Sequence, residues 1–214
     1  MTKPREEPGI LLASGGLDST TLAYWLTEKS VQFTPLFIDY GQHCRKMELK
    51  TLRQVLPTNA KERIETVRIG DIYKGCRSLL ITAPDLWSDD VTGDDLYLPY
   101  RNLLMLTVGA AFAQARGYTR LFSAFINSNH AKEIDCSAEF FHRLESMLSD
   151  YGTVTVEMPF RNLSKKEVAA IGLTLGAPIA QTYSCQAAAS VPCGACPNCV
   201  DRAEALLAIQ QGEY

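Results

Sequence analysis

The apolar run Ile10-Leu11-Leu12-Ala13 stops at Ser14-Gly15-Gly16, and a helical pattern starts directly behind it. A short, wholly apolar run closed by glycine reads as a strand covered on both faces, which is the habit of parallel sheets. Parallel strands cannot be joined by a hairpin, so each is followed by a crossover, normally a helix. The chain supplies that alternation. Leu22, Trp25 and Leu26 give Asp18 to Lys29 an apolar helical face, and Phe33 to Ile38 is a second apolar run, closed by Asp39-Tyr40-Gly41. Gln42 to Leu56 predicts a helix with a charged face, and Ile64, Val67 and Ile69 against Glu65 and Arg68 mark a third strand. Asn102 to Arg116 predicts a helix apolar on most sides, Arg120 to Phe125 a fourth strand and Ala138 to Asp150 a helix. Val154 to Met158 is a fifth strand and Lys165 to Leu175 a helix. The implied class is α/β, a parallel sheet with helices on both faces.

Two stretches stand outside that rhythm. Tyr73 to Pro99, rich in Asp, Gly and Pro, reads as a long loop near a functional site, since connections of that length are often functional. From Cys185 a cysteine-rich loop leads to a helix over Val200 to Ile209 and reads as an appendage. The expected division is a main domain over 1–184 and a C-terminal segment over 185–214.

The glycine turn carries the first chemistry. Adjacent glycines let backbone N–H groups approach an anion, and the N-terminus of the following helix adds partial positive charge. Ser14, Ser19 and Thr20 add hydroxyls, so Ser14 to Thr20 reads as a phosphate cradle. No lysine follows the last glycine as in a Walker loop, and the third glycine of the dinucleotide fingerprint is absent. Cationic charge must therefore come from a metal ion near Asp18 or from a basic side chain elsewhere. The bland alternative is a turn that binds nothing. Ser164 with Glu167 forms a capping box, which puts Lys165 in a first helical turn, against the helix dipole. A lysine there is plausible if it serves an anion; the alternative is a solvated surface lysine. Arg101 opens an apolar helix, where an unpaired charge is costly to bury, and is a candidate contact for phosphate or carboxylate. His130 and His142 read as surface or capping residues.

Of seven cysteines, Cys44, Cys76 and Cys136 are scattered while Cys185, Cys193, Cys196 and Cys199 cluster. The polar start from Met1 to Gly9 gives no expectation of an export leader, and no apolar run is long enough to span a membrane, so the expected compartment is the cytoplasm. Clustered thiols there point to metal rather than disulfides. Four thiolates at this short spacing suit a structural zinc, with no open position for metal catalysis. An iron–sulfur cluster, a redox pair and free thiols are the alternatives. A formal charge of −3 argues against a broad basic surface and so against nucleic acid as partner.

Ser14 to Thr20 also resembles the signature of the PP-loop ATP pyrophosphatases, Ser-Gly-Gly-x-Asp-Ser-Ser/Thr. Further segments resemble one branch, the 7-cyano-7-deazaguanine synthases of queuosine biosynthesis. They are Asp39-Tyr40-Gly41-Gln42, Leu98-Pro99-Tyr100-Arg101-Asn102 (against Val-Pro-x-Arg-Asn), Asp135-Cys136 with Glu139-Phe140, Ser164-Lys165-Lys166-Glu167, and the four cysteines. The matches keep their order from Ile10 to about Ala205. The resemblance implies a Rossmann-like five-stranded parallel sheet with a small C-terminal zinc-binding knuckle and helix. It implies ATP, with magnesium, as co-substrate, held by Ser14, Gly15, Gly16, Leu17, Asp18, Ser19, Thr20 and Asp39. The deazapurine would meet Tyr40, Gln42, Arg101, Asn102 and Asp135, with Asp18, Lys165 and Arg101 carrying catalysis. The implied reaction adenylates a 7-deazaguanine carboxylate and lets ammonia displace AMP; a second adenylation turns the amide into a nitrile. Family members often form homodimers.

Two departures stand out. Asn127 to Ile134 replaces the branch's Gly-Tyr-Pro turn, and the histidine and glutamate expected after Gly41-Gln42 are displaced or replaced, with Cys44 and Met47 near their positions. They leave open a relative that passes the same acyl group to another amine, such as a peptide amine, and stops at the amide. A tRNA-modifying sulfur-transfer adenylase and a silent zinc-containing scaffold are the remaining alternatives.

Overall fold

The computed structural model describes residues 7–85, 91–126, 134–187 and 190–213. Five strands, β1 Gly9–Leu12, β2 Phe33–Asp39, β3 Glu65–Arg68, β4 Arg120–Phe122 and β5 Thr155–Glu157, form one sheet in the order β3-β2-β1-β4-β5. Every pairing is parallel, with Ile10 opposite Thr34 on one side and Leu121 on the other. The helices are α1 Leu17–Glu28, α2 Arg45–Val55, α3 Thr58–Lys61, α4 Arg101–Ala115, α5 Ala138–Tyr151, α6 Lys165–Thr174 and α7 Pro197–Gln211. The expected α/β class, parallel sheet and five strands are therefore observed.

Strand periodicity divides the core in two. Leu11, Phe33 and Phe37 point to the side covered by α1, α2, α6 and α7, where they meet Leu22, Leu52, Val168 and Ala205. Their neighbours Ile10, Leu36 and Ile38 point to the opposite side, covered by α4 and α5 through Leu106, Phe141 and Leu144. Side chains that alternate between two buried faces explain why these strands read as continuous apolar runs.

Several boundaries differ from the sequence reading, each for a physical reason. Helix α2 begins at Arg45, because the Gln42 side chain is used upstream to accept from the backbone N–H of Tyr40 at 2.9 Å. Strand β4 ends at Phe122 with its short partner β5, and Ser123 to Phe125 become cavity wall. Helix α7 starts at Pro197, a residue suited to the first helical position, and closes on Gly212 in the left-handed region. Helix α4 is covered on much of its surface but not all round: Asn102, Leu106, Gly109, Ala110, Phe112 and Ala113 are buried, while Thr107, Ala111 and Gln114 are exposed. The one-turn α3 carried no periodic signal. The stretch from Tyr73 to Pro99 holds a small core of its own, Tyr73, Leu80, Leu96 and Leu98 around Tyr40, and is tied to the domain where His43 N–H donates to Leu80 at 3.0 Å.

The turn after β1 contains the tightest approach. Gly15 has φ +82°, and a Cβ there would lie 2.7 Å from the Leu52 backbone nitrogen and 2.9 Å from the Glu48 carbonyl of α2. At Gly16 a Cβ would meet the Ser14 hydroxyl at 3.3 Å, with the Ser184 hydroxyl and the Tyr183 carbonyl at an ordinary 3.7 Å. Gly15→Ala should therefore lose about 2–4 kcal/mol of stability through backbone strain and overlap, while Gly16→Ala should stay within about 1 kcal/mol. Chemical denaturation of both variants checks this; equal losses would contradict it.

Candidate active site

β1 delivers Ser14–Gly16 to the point where the chain leaves the sheet in opposite directions, with β2 on one flank and β4 on the other. Clefts at such switch points are the usual ligand sites of open parallel sheets. The loop is internally braced. Ser14 N–H donates to Ser19 Oγ at 3.3 Å, Gly16 N–H donates to Ser14 Oγ at 3.3 Å, and the two hydroxyls lie 3.4 Å apart. No side chain caps the N-terminus of α1, whose cap residue is Gly16. Its first-turn N–H groups thus keep their donor capacity and its dipole its positive end.

Two cations reach the same cavity from other segments. Lys165 lies in the first turn of α6, whose capping box is complete (Ser164 Oγ accepts from Glu167 N–H, and Glu167 accepts from Ser164 N–H), and its Nζ meets Asp18 Oδ2 at 2.5 Å. Asp18 Oδ1 is buried with no hydrogen-bond partner among the described residues. Arg101 is the first residue of α4 and faces Tyr40, whose hydroxyl it contacts, and Glu48. Both cations sit at helix N-termini, where the dipole opposes them by some tenths of a kcal/mol each. Together with the uncapped α1, they concentrate positive potential in one cleft, as anion sites do.

The cavity collects Ser14, Gly16, Asp18 and Ser19 from the loop, together with Tyr40, Gln42, Arg101, Asn102 and Lys165. Other expected residues stand elsewhere. The side chain of Leu17 is fully buried in the core, Thr20 is fully buried in α1, and Gly15 packs on α2. Asp39 shapes its own turn, accepting from Gly41 N–H at 3.0 Å with Arg45 at 3.9 Å. Asp135 offers its backbone carbonyl to Asn102 Nδ2 at 3.2 Å. Gln42 borders the cavity with its amide fully engaged: Nε2 donates to Ile38 O at 3.2 Å and to Glu48 Oε2 at 2.8 Å, and Oε1 accepts from Tyr40 N–H. The residues Asn127 to Glu133, including His130, lie outside the described residues.

Sequence reasoning missed Glu48. It stands one helical turn beyond Cys44, turns into the cavity and holds the Gln42 amide. The glutamate expected after Gly41-Gln42 is thus displaced rather than lost. His43 follows suit, its Nε2 lying 2.8 Å from the Gln186 carbonyl, while Cys44 is buried against Tyr183. Burial pushes the Glu48 carboxyl up to about 7, against the opposing pull of the Gln42 hydrogen bond and the Arg101 charge. Ser123, Ser184, Gln186 and Asn198 were missed too. Gln186 adjoins Cys185 and Asn198 lies between Cys196 and Cys199, so the cysteine cluster was the signal that could have found them.

The sulfur atoms of Cys185, Cys193, Cys196 and Cys199 all lie within 4.8 Å of one another. Backbone N–H groups of Cys193 and Cys196 donate to the sulfurs of Cys185 and Cys193 at 3.4 and 3.3 Å. Cys196 is the residue at the N-terminal boundary of α7, so the helix dipole places its positive end beside the cluster. The donor set and its closeness fit a four-thiolate metal site, whose sulfurs would sit about 2.3 Å from zinc. Two residues before Cys185, Tyr183 N–H donates to Gly15 O at 3.0 Å and so leads the chain into the segment beside the glycine turn. Arg202 on α7 ties it to the carbonyls of Ile179 and Ala180 at 3.2 and 2.8 Å.

The family model described as queuosine biosynthesis protein QueC matches residues 9–210. A 7-cyano-7-deazaguanine synthase from Porphyromonas gingivalis is 32% identical over 210 residues, covering 94% of this chain and 93% of that protein. Its namesake from Methanospirillum hungatei is 31% identical, covering 92% and 93%. Among solved structures, a 4-thiouridine synthetase–RNA complex with bound ATP superposes with a TM-score of 0.53 at 15% identity, over 79% of this chain and 41% of that one. At that identity the likeness speaks for the fold alone.

Glu48 makes stability depend on pH. Its folded-state value lies above the ordinary one, so the folded protein holds the extra proton between about pH 4.5 and 7, and stability falls as pH rises through that window. Between about pH 5 and 8 the unmodified protein should lose on the order of 2 kcal/mol more than Glu48→Gln, measured by denaturation at each pH. Parallel curves would show that Glu48 does not carry the shift.

Proposed function

Because the chain belongs to the 7-cyano-7-deazaguanine synthase family, we propose that it activates the carboxylate of a 7-carboxy-7-deazaguanine-like base with ATP, releasing pyrophosphate, and passes the acyl group to ammonia. The observation that carries this reading is the convergence on one cavity of an uncapped helix N-terminus and two cations, Lys165 and Arg101. Residues 1–184 form the nucleotide-activating unit, and 185–214 the metal-braced wall of its pocket.

The first-turn N–H groups of α1 and the Ser14 and Ser19 hydroxyls hold the β and γ phosphates. Lys165 turns from Asp18 to the oxygen bridging the α and β phosphates, where charge develops as that bond breaks. Freed of Lys165, Asp18 offers both carboxylate oxygens. Its unpartnered Oδ1 fits a magnesium ion accompanying ATP, which would neutralise phosphate charge there. Arg101 orients the substrate carboxylate against the α phosphorus. One carboxylate oxygen then becomes the bridge of the acyl adenylate. Ammonia attacks the carbonyl carbon and AMP leaves with that oxygen, giving an amide. A second ATP adenylates the amide oxygen, and loss of AMP and a proton gives the nitrile. Side chains supply position and charge rather than a covalent nucleophile. The four thiolates of Cys185, Cys193, Cys196 and Cys199 would hold zinc, which would fix Gln186 and Asn198 at the pocket.

Mass analysis of products from ATP, 7-carboxy-7-deazaguanine and ammonia tests the reading. Nitrile is expected. Accumulated amide, or acyl transfer to a peptide amine, would favour the second reading, which rests on the departure at Asn127 to Ile134. Untouched acid would contradict both. Lys165→Ala should lower kcat/KM for pyrophosphate release by about 10²–10³ with the fold intact; a loss under ten-fold would remove Lys165 from the mechanism. Metal analysis should find one zinc per chain, and Cys199→Ser should lose both the zinc and several degrees of Tm. Iron with labile sulfide would overturn the zinc assignment.

A further inference from the structure

The cavity contains two hydrogen-bond acceptors that the phosphate chemistry does not use. Asn102 is 2% exposed, and both hydrogens of its amide are engaged: Nδ2 donates to Asp135 O at 3.2 Å and to Cys136 Sγ at 3.0 Å. Those two bonds fix the amide's orientation. They leave Oδ1, on a residue that borders the cavity, buried and without a partner among the described residues. A buried acceptor with nothing to accept costs on the order of 1–3 kcal/mol, which a bound donor would recover.

Glu48 is the second acceptor. Gln42 donates to its Oε2 and, through two backbone contacts of its own, cannot swing away. The hydrogen bonds among the described residues leave Oε1 without a donor; the Arg101 charge acts on the same carboxylate, and the side chain borders the same cavity. Glu48 is poorly placed for phosphate, which its charge would repel. It is equally unsuited to the substrate carboxylate. What suits it is an N–H donor.

Resting on the reading above, we infer that Glu48 and Asn102 form the base-recognition edge of the pocket, accepting from the ring N–H and exocyclic amino group of a 2-aminopyrimidin-4-one ring. A guanine-type edge presents two adjacent donors, whereas an adenine edge presents a donor beside an acceptor. Two fixed acceptors therefore favour the deazaguanine over the adenine of ATP, and keep the two purine-like rings from exchanging places. Gln42 acts as a positioning residue: it holds Glu48 and touches no substrate.

The test compares 7-carboxy-7-deazaguanine with its analogue lacking the 2-amino group, by kcat/KM for pyrophosphate release at saturating ATP. The unmodified protein should prefer the amino compound at least ten-fold, because loss of that group leaves a buried acceptor unpaired. In Glu48→Gln the Gln42 amide still needs an acceptor, so the new side chain presents its NH₂ to the base. The preference should then collapse toward one while the KM for ATP stays within two-fold. A ratio near one in the unmodified protein would overturn the inference without recourse to any variant. So would a ratio unchanged by Glu48→Gln, or a main effect on the KM for ATP, which would assign Glu48 to the ribose. Pyrophosphate from neither compound would overturn the carboxylate-activation reading itself, and the inference with it.

Discussion

The site depends on how closely the backbone of α2 approaches Gly15. Only a residue without a Cβ can sit 2.7 Å, at the Cβ position, from the Leu52 nitrogen, and the positive φ of the turn makes the same demand. That approach does more than admit a ligand. It docks α2 on the loop and so brings Glu48 into the cavity, and the carbonyl of Gly15 accepts from Tyr183 N–H, which draws the cysteine-bearing segment over the same turn. One glycine thus joins the glycine turn, the wall that carries Glu48 and the wall that carries the four cysteines.

Electrostatics is arranged around that geometry. Placing Lys165 and Arg101 at helix N-termini works against the dipoles, and burying Glu48 works against its charge. Each is tolerated in the resting protein through a partner: Asp18 for Lys165, Tyr40 for Arg101, Gln42 for Glu48. These partnerships are local, and on the proposed reading an incoming anion would take Lys165 from Asp18 without dismantling the fold. Such strain against local rules is concentrated in the cavity, as it is at functional sites generally.

Much of this was legible beforehand. The buried runs gave the parallel strands because both faces of the sheet are covered, and Ser164 with Glu167 gave the start of α6 because the capping box is a local device. Arg101, Asn102 and Lys165 were found through motif and position, and all three border the cavity. Glu48 was not, because its role depends on the Gly15 contact and the Gln42 bridge, which join residues that no periodicity links. Leu17 and Thr20 belong to the Ser14 to Thr20 motif, but their side chains serve the core, which leaves their backbone groups to face the turn. The stretch from Tyr73 to Pro99 was expected as a long loop near a functional site; its small core was not foreseen because it closes around Tyr40, a residue distant in sequence.

On the proposed reading, the glycine turn holds ATP for cleavage between the α and β phosphates by a substrate carboxylate. Reaction of 7-carboxy-7-deazaguanine labelled with ¹⁸O in its carboxylate, followed by mass spectrometry of the nucleotide product, addresses it directly. Transfer of one labelled oxygen into AMP is the predicted result. Label in orthophosphate with release of ADP, or AMP free of label, would contradict it.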